Sequence, residues 1–257
     1  MLDNVPRSVV RWIIGAKEFM TEREYTYLLD REWVRHVYQV LHAAGDFGTL
    51  SNAFQVRSTP TPIARLYCYT ADDGERVEKV IIDPTRRYAK FSEKRRLPSG
   101  DKLERSTRIG YAEADERLAR GVLATFVKIK RTVKYFTECA PPTFRVGLDL
   151  LVPLRTTWCP VAEESFWHLE IEAVADSWSP ARFEETPLFV DDLSHHLVPI
   201  PLSKFDEVRT RLGIEGVYDP VSEPARELAE RVVDQVLRPR IHTADVELLL
   251  TLGGQGS

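Results

Sequence analysis

Two short segments far apart in the chain carry carboxylates at strand spacing. Glu22 and Glu24 are two residues apart near the start, with Thr26 next on that face, and Glu170 and Glu172 repeat the spacing later, with His168 beside them. Side chains two apart on a strand share a face. Tyr25, Tyr27 and Leu29 take the other face of the first segment, and Trp167, Leu169, Ile171 and Ala173 that of the second. Four carboxylates so placed suit a hard divalent cation, Mg²⁺ or Mn²⁺, held through oxygen. Between them the chain supplies cations at the same spacing: Lys90, Lys94 and Arg96, then Lys128, Lys130 and Lys134, then Arg145 sharing a face with Asp149. If these faces line one interior, the cations need a multiply charged anion, because buried like charges are costly without a partner. A triphosphate with its metal meets both demands. Taken singly, each strand reads more readily as a solvated outer face; the order, acidic at both ends and basic between, favours a shared cavity.

The elements that must position these residues are mostly strands. Alternating or apolar stretches run over Glu22–Leu29, Ile63–Thr70, Arg76–Ile82, Tyr88–Leu97, Lys102–Ile109, Thr125–Thr137, Thr143–Val152 and Phe166–Val174. Asp72-Asp73-Gly74, Asp83-Pro84, Pro98-Ser99-Gly100 and Pro141-Pro142 separate them as turns. Hairpin connections between seven or eight strands predict an α+β protein built on an antiparallel, eight-stranded β-barrel, with one set of side chains inside. Helices are expected over about 5–18, 31–44, 112–120, 202–212 and 222–237, a polar loop over 48–62, a further strand over 197–201, and a frayed end over 253–257. The whole chain reads as a single domain, residues 1–257, with a barrel core over 21–174, an N-terminal helix and a C-terminal helical elaboration over about 202–238.

Composition sets limits. The 257 residues carry a net charge of −4, but Arg86–Lys134 holds fifteen Lys/Arg against six Asp/Glu. A local +9 on an otherwise acidic chain is the footprint of an anionic partner or of a solvated basic face. No apolar run has membrane-spanning length and the N-terminus lacks a signal-peptide pattern, so a soluble protein without a membrane partner is expected. Cys68, Cys139 and Cys159 are too scattered for a disulfide framework or a cysteine metal site, which fits the reducing cytoplasm. No P-loop, GxGxxG, GxSxG or HExxH occurs. Adjacent His195 and His196 would point to opposite faces of a strand and so make a poor joint metal site. Leu228, Val232 and Val233 form a stripe that reads as core or homodimer contact.

The order of these motifs resembles the triphosphate tunnel metalloenzymes, the CYTH-like superfamily, over roughly 21–174. The family opens on an ExExK strand; Glu22-Arg23-Glu24-Tyr25-Thr26 stands in that place. Ile63–Tyr69 is similar to the next strand, which offers an arginine, here Arg65. Tyr88–Leu97 resembles the strand ending in a site lysine, best matched by Lys94. Val127–Arg131 is similar to the later basic strand, Phe144–Leu150 to the strand carrying an arginine or aspartate, and His168–Glu172 to the closing ExE strand.

The resemblance implies metal on Glu22, Glu24, Glu170 and Glu172. It implies phosphates on Arg65, Lys94, Lys128, Lys130 and Arg145, with Lys90, Arg96 and Lys134 toward a tunnel mouth. Catalytic roles fall to Lys94, Lys130 and Asp149, the last on metal or water. The implied activity is metal-dependent hydrolysis of tripolyphosphate, a nucleoside triphosphate or an RNA 5′-triphosphate end. Thr26 departs from the pattern where the family has a lysine, which bears more on turnover than on binding. Three alternatives therefore stand beside hydrolysis: a non-catalytic nucleotide or polyphosphate sensor, an adenylate cyclase of the class IV type, and a nucleic-acid binder using the basic middle as an outer stripe with Tyr88, Phe91, Tyr135 and Phe136 interleaved.

Overall fold

The computed structural model describes residues 20–43, 55–58, 62–96, 102–136, 144–173, 197–199, 203–238 and 244–251. The expected N-terminal helix, Cys139, Asp191-Asp192, His195-His196 and the expected frayed end lie outside the described residues. The strands are β1 (Met20–Leu29), β2 (Gln55–Ser58), β3 (Ile63–Asp72), β4 (Arg76–Asp83), β5 (Tyr88–Arg96), β6 (Lys102–Ile109), β7 (Ala124–Phe136), β8 (Phe144–Pro153), β9 (Phe166–Ala173) and β10 (Leu197–Pro199). The helices are α1 (Arg31–Ala43), α2 (Tyr111–Ala119), α3 (Lys204–Leu212), α4 (Ala225–Leu237) and α5 (Ala244–Thr251). Among the described residues no helix is long and apolar enough to cross a membrane.

All pairings are antiparallel, and they return on themselves. From β1 the order runs β6, β5, β4, β3, β7, β8, β9 and back to β1. β1 makes the closure by pairing β6 through Met20–Glu22 and β9 through Arg23–Leu29. The sheet therefore curls until eight strands share one continuous inner face. Two short strands hang on this ring: β10 beside the end of β1, and β2 beside the end of β7. β2 falls inside the stretch expected to be a polar loop. Four residues with one isolated valine carry too little alternation to stand out.

Alternation along each strand decides the layers. One parity is mainly apolar: Ala64, Leu66 and Cys68 on β3, Val80 and Ile82 on β4, Val127 and Ile129 on β7, Val146, Leu148 and Leu150 on β8, Trp167, Leu169 and Ile171 on β9. This outer wall packs against Val34 and Val37 of α1, Ala114 and Leu118 of α2, Leu228, Ala229, Val232 and Val233 of α4, and Val246 of α5 in one core. The Leu228–Val233 stripe is thus core. Asp115 of α2 accepts the Ala225 N–H at 2.6 Å, fastening the first turn of α4, whose N-cap is Pro224.

α3 docks differently. Phe205 and Val208 pack with Tyr69, Ala124, Phe126, Leu151 and Phe166. Those partners have the opposite parity, so α3 covers an apolar part of the inner face. Ser203 starts the helix with a capping box to Asp206, and Gly213, at φ +60°, ends it in the left-handed region that glycine tolerates best.

Candidate polyanion site

Register determines which charged residues share the inner face, because directly opposed residues point to the same side. Lys134 of β7 lies opposite Arg145 of β8, which lies opposite Glu172 of β9, which lies opposite Glu24 of β1. Glu170 is opposite Gly147 on one side and Thr26 on the other. Lys130 faces Asp149, and Asp149 faces His168. Arg65 of β3 faces Lys128. Around the other half of the ring, Lys94 faces Glu104, Lys90 faces Arg108 and Arg96 faces Lys102. The expected parity thus holds for every strand of the set. The side chains of Glu22, Glu24 and Lys102 lie outside the described residues.

The ions converge on Glu170. Its Oε2 accepts from Lys128 and Lys130 at 2.8 Å each, and its Oε1 from Lys204 of α3 at 2.7 Å. Lys128 Nζ also lies 2.5 Å from Asp149 Oδ2, a close ion pair. Lys130 reaches Glu172 at 3.5 Å, and Glu172 meets Arg145 at 3.5 Å. Lys128, Asp149 and Glu170 are all buried. Burial works against the Lys130 ammonium, but Glu170, Asp149 and Glu172 outweigh it and hold its pKa well above the ordinary lysine value. Burial pushes the Asp149 carboxyl up to about 6 against the pull of Lys128 and Lys130. Next to this cluster, Lys128 stands 5.5 Å from the centre of the Tyr67 ring, which stacks on Phe126 beneath α3.

Lys94, Lys90 and Arg65 sit in separate ion pairs on the same face. Lys94 is 3.3 Å and Lys90 4.0 Å from Glu104, whose Oε1 also accepts from Ser92 and Ser106. Arg65 donates to buried Asp83 at 2.8 Å, and both Arg65 and Arg108 lie against the Tyr88 ring. Lys134 joins the row through Arg145, and Arg96 is exposed at the end of β5.

Sequence reasoning missed Glu104, Asp83 and Lys204. The first two temper the expectation that the cations lack protein partners: inner-face cations still outnumber carboxylates, but both signs interleave. Glu104 shares the parity of Lys102 and faces Lys94 in the β5–β6 pair, a signal present in the alternation. Tyr88 lines the inner face with these ions. Phe91, on the other parity, packs in the core under Arg117 of α2.

Among the described residues no group of three or more His, Cys, Asp or Glu side chains is arranged to hold a metal ion. The backbone nevertheless sets Glu24 directly opposite Glu172, with Glu22 two residues along, and Glu170 two residues from Glu172. An all-carboxylate set on two adjacent strands fits a hard divalent cation.

A closed antiparallel ring thus carries buried, mixed-sign charge on its inner face. The chain is an α+β protein built on an eight-stranded antiparallel ring. Solved structures similar to it include a candidate adenylate cyclase from Vibrio parahaemolyticus (12% identical, TM-score 0.45, covering 74% of this chain and 98% of that one). A second is HpAC1 from Hippeastrum, a candidate adenylyl cyclase described with a dominant triphosphatase activity (13%, 0.42, 74% and 96%). A third is the Pct1 RNA triphosphatase of S. pombe in complex with the Spt5 CTD (8%, 0.29, 77% and 83%). At such identities a shared fold carries no shared activity. No protein-family model and no curated protein matches the chain.

Proposed function

We propose that the inner face binds a triphosphate and, with a divalent metal, hydrolyses its terminal phosphoryl group. The observation that carries this reading is the convergence of Lys128, Lys130 and Lys204 on one buried carboxylate within 2.7–2.8 Å. With Arg145, these ammoniums set four cations against Glu170, Asp149 and Glu172 in a place with little water, a net positive charge that a polyphosphate would neutralise. Arg65, Lys90, Lys94, Arg96, Lys134 and Arg145 extend the cationic track along the same face. Phosphoryl transfer chiefly needs such positioning and charge neutralisation.

Glu22, Glu24, Glu170 and Glu172 would hold the cation, Mg²⁺ or Mn²⁺. Bound there it would screen the phosphate oxygens and lower the charge that an attacking water meets. Lys130 and Lys94 would hold the phosphate chain in line. Asp149, with its pKa raised to about 6, is matched to take a proton from that water near neutral pH.

A second reading, a sensor that binds without turnover, is favoured by Thr26. It lies opposite Glu170 where a lysine would add a further ammonium, and Lys204 comes from a different element. The deciding experiment incubates the protein with tripolyphosphate, ATP or 5′-triphosphorylated RNA, with Mg²⁺ or Mn²⁺, and follows phosphate, pyrophosphate and binding. Orthophosphate release that vanishes in Glu24→Ala and Glu172→Ala is the expected result. Tight binding without product establishes the sensor, and pyrophosphate with a cyclic nucleotide establishes a cyclase. No binding of any of the three overturns the whole reading.

A further inference from the structure

Gly147 lies mid-strand in β8, on the charged face, opposite Glu170 of β9 and Thr132 of β7. Its φ is not among the positive ones, so the backbone itself does not demand glycine here. The demand comes from Lys130. A Cβ on Gly147 would fall 2.6 Å from Lys130 Cε, 2.8 Å from Lys130 Nζ and 3.3 Å from Asp149 Oδ1. Carbon contacts of that length are well inside van der Waals separation. Lys130 faces Asp149 directly, and Gly147 lies on the diagonal of that pair. The Lys130 side chain therefore leans diagonally over the bare backbone of Gly147 to put its ammonium 2.8 Å from Glu170 Oε2.

We infer that Gly147 is a positioning residue, a notch in β8 that sets where Lys130 presents its ammonium, and hence where one phosphate oxygen of the bound polyanion sits. This rests on the triphosphate reading above. A methyl group at 147 meets side-chain ends alone, severely the flexible end of Lys130 and more mildly the Asp149 carboxylate, so the strand keeps its path while the ammonium is turned away from Glu170. The neighbouring cations, Lys128 and Lys204, approach Glu170 from β7 and α3, and neither supplies one of the three atoms nearest a Cβ at 147.

The test compares Gly147→Ala, Lys130→Ala and the double variant in the full chain. Tripolyphosphate affinity is measured by calorimetry without divalent metal, and stability by denaturant unfolding. Each single variant should weaken tripolyphosphate roughly ten- to hundredfold, the worth of one hydrogen bond to a charged group. The double variant should bind no worse than Lys130→Ala, because truncating Lys130 leaves nothing for the new methyl to displace. Wild-type affinity in Gly147→Ala, or losses that simply add in the double variant, overturns the inference. If wild type itself fails to bind tripolyphosphate, the triphosphate reading falls, and the unfolding cycle alone judges the notch: non-additive stabilities at 130 and 147 uphold it, and additive ones reject it.

Discussion

Replacing Glu170 by glutamine keeps its shape and removes its charge from beneath three ammoniums. In the ligand-free protein those contacts are 2.7–2.8 Å long. Removing one partner of a buried ion pair costs about 3–5 kcal/mol. The lower end applies here, because Lys128 retains Asp149 at 2.5 Å and Lys130 retains Glu172 at 3.5 Å. Glu170→Gln should thus lose about 3 kcal/mol of unfolding free energy in buffer without anions. Tripolyphosphate should then rescue it more than it rescues wild type, since the competing carboxylate is gone. A ligand at one hundred times Kd adds about 2.7 kcal/mol, and at one thousand times about 4.1. A tenfold tighter Kd in the variant therefore appears as about 1.4 kcal/mol of extra stabilisation at one fixed concentration. Urea unfolding with and without tripolyphosphate, in chelator, reads both quantities. A variant within 1 kcal/mol (roughly the worth of an exposed pair) of wild type, or one that tripolyphosphate stabilises no more than wild type, refutes the convergence of these lysines on Glu170 as an anion site.

Two further outcomes follow from the same interior. Asp149 titrates near 6 in the folded protein, above the ordinary aspartate value of about 3.9. Its folded-state preference for the proton adds stability below that ordinary value, and this is lost as pH rises through about 6. The stability of Asp149→Asn relative to wild type should therefore increase by about 2–3 kcal/mol between pH 4 and pH 7 in paired unfolding curves; a flat difference would show that Asp149 is not held in this buried state. Phe205 anchors α3 on the inner face against Tyr69, at a ring separation of 5.5 Å. Phe205→Ala should cost about 3 kcal/mol and weaken tripolyphosphate by loosening Lys204, whereas Lys204→Ala should weaken the ligand with little loss of stability.

Much of this interior was legible in the sequence, for a physical reason: strand side chains alternate, so Glu22 with Glu24, Lys128 with Lys130, and Glu170 with Glu172 had to share faces. Register then aligned those faces, and the hairpins β3–β4, β4–β5 and β7–β8 follow turn residues that could be read directly. What the alternation could not convey was docking. Lys204 reaches Glu170 across 34 residues, and nothing local says that α3 packs on the inner face while α2 and α4 take the outer one. The apolar stripe of Phe205, Val208 and Leu212 announces a packed helix but not its side. Asp83 was hidden because it closes β4 before a proline turn, where an acid reads as turn chemistry. It does serve the turn, accepting the Arg86 N–H at 2.8 Å, but it is also buried and accepts from Arg65 at 2.8 Å. Gly147 was equally silent, since a glycine within a strand signals only weakness or close approach, and the approaching group is Lys130 from the neighbouring strand.

On the proposed reading a polyanion binds on the inner face rather than on the arginines outside. Those outer arginines, Arg95 and Arg105 with Arg76 beside them, gather around Glu93, whose pKa burial would raise but which they hold below the ordinary value. Calorimetric titration of tripolyphosphate onto Lys128→Ala/Lys130→Ala and onto Arg95→Ala/Arg105→Ala separates the two faces. Loss of binding in the lysine pair with wild-type affinity in the arginine pair is the predicted result; intact binding in the lysine pair, with loss in the arginine pair, would contradict it.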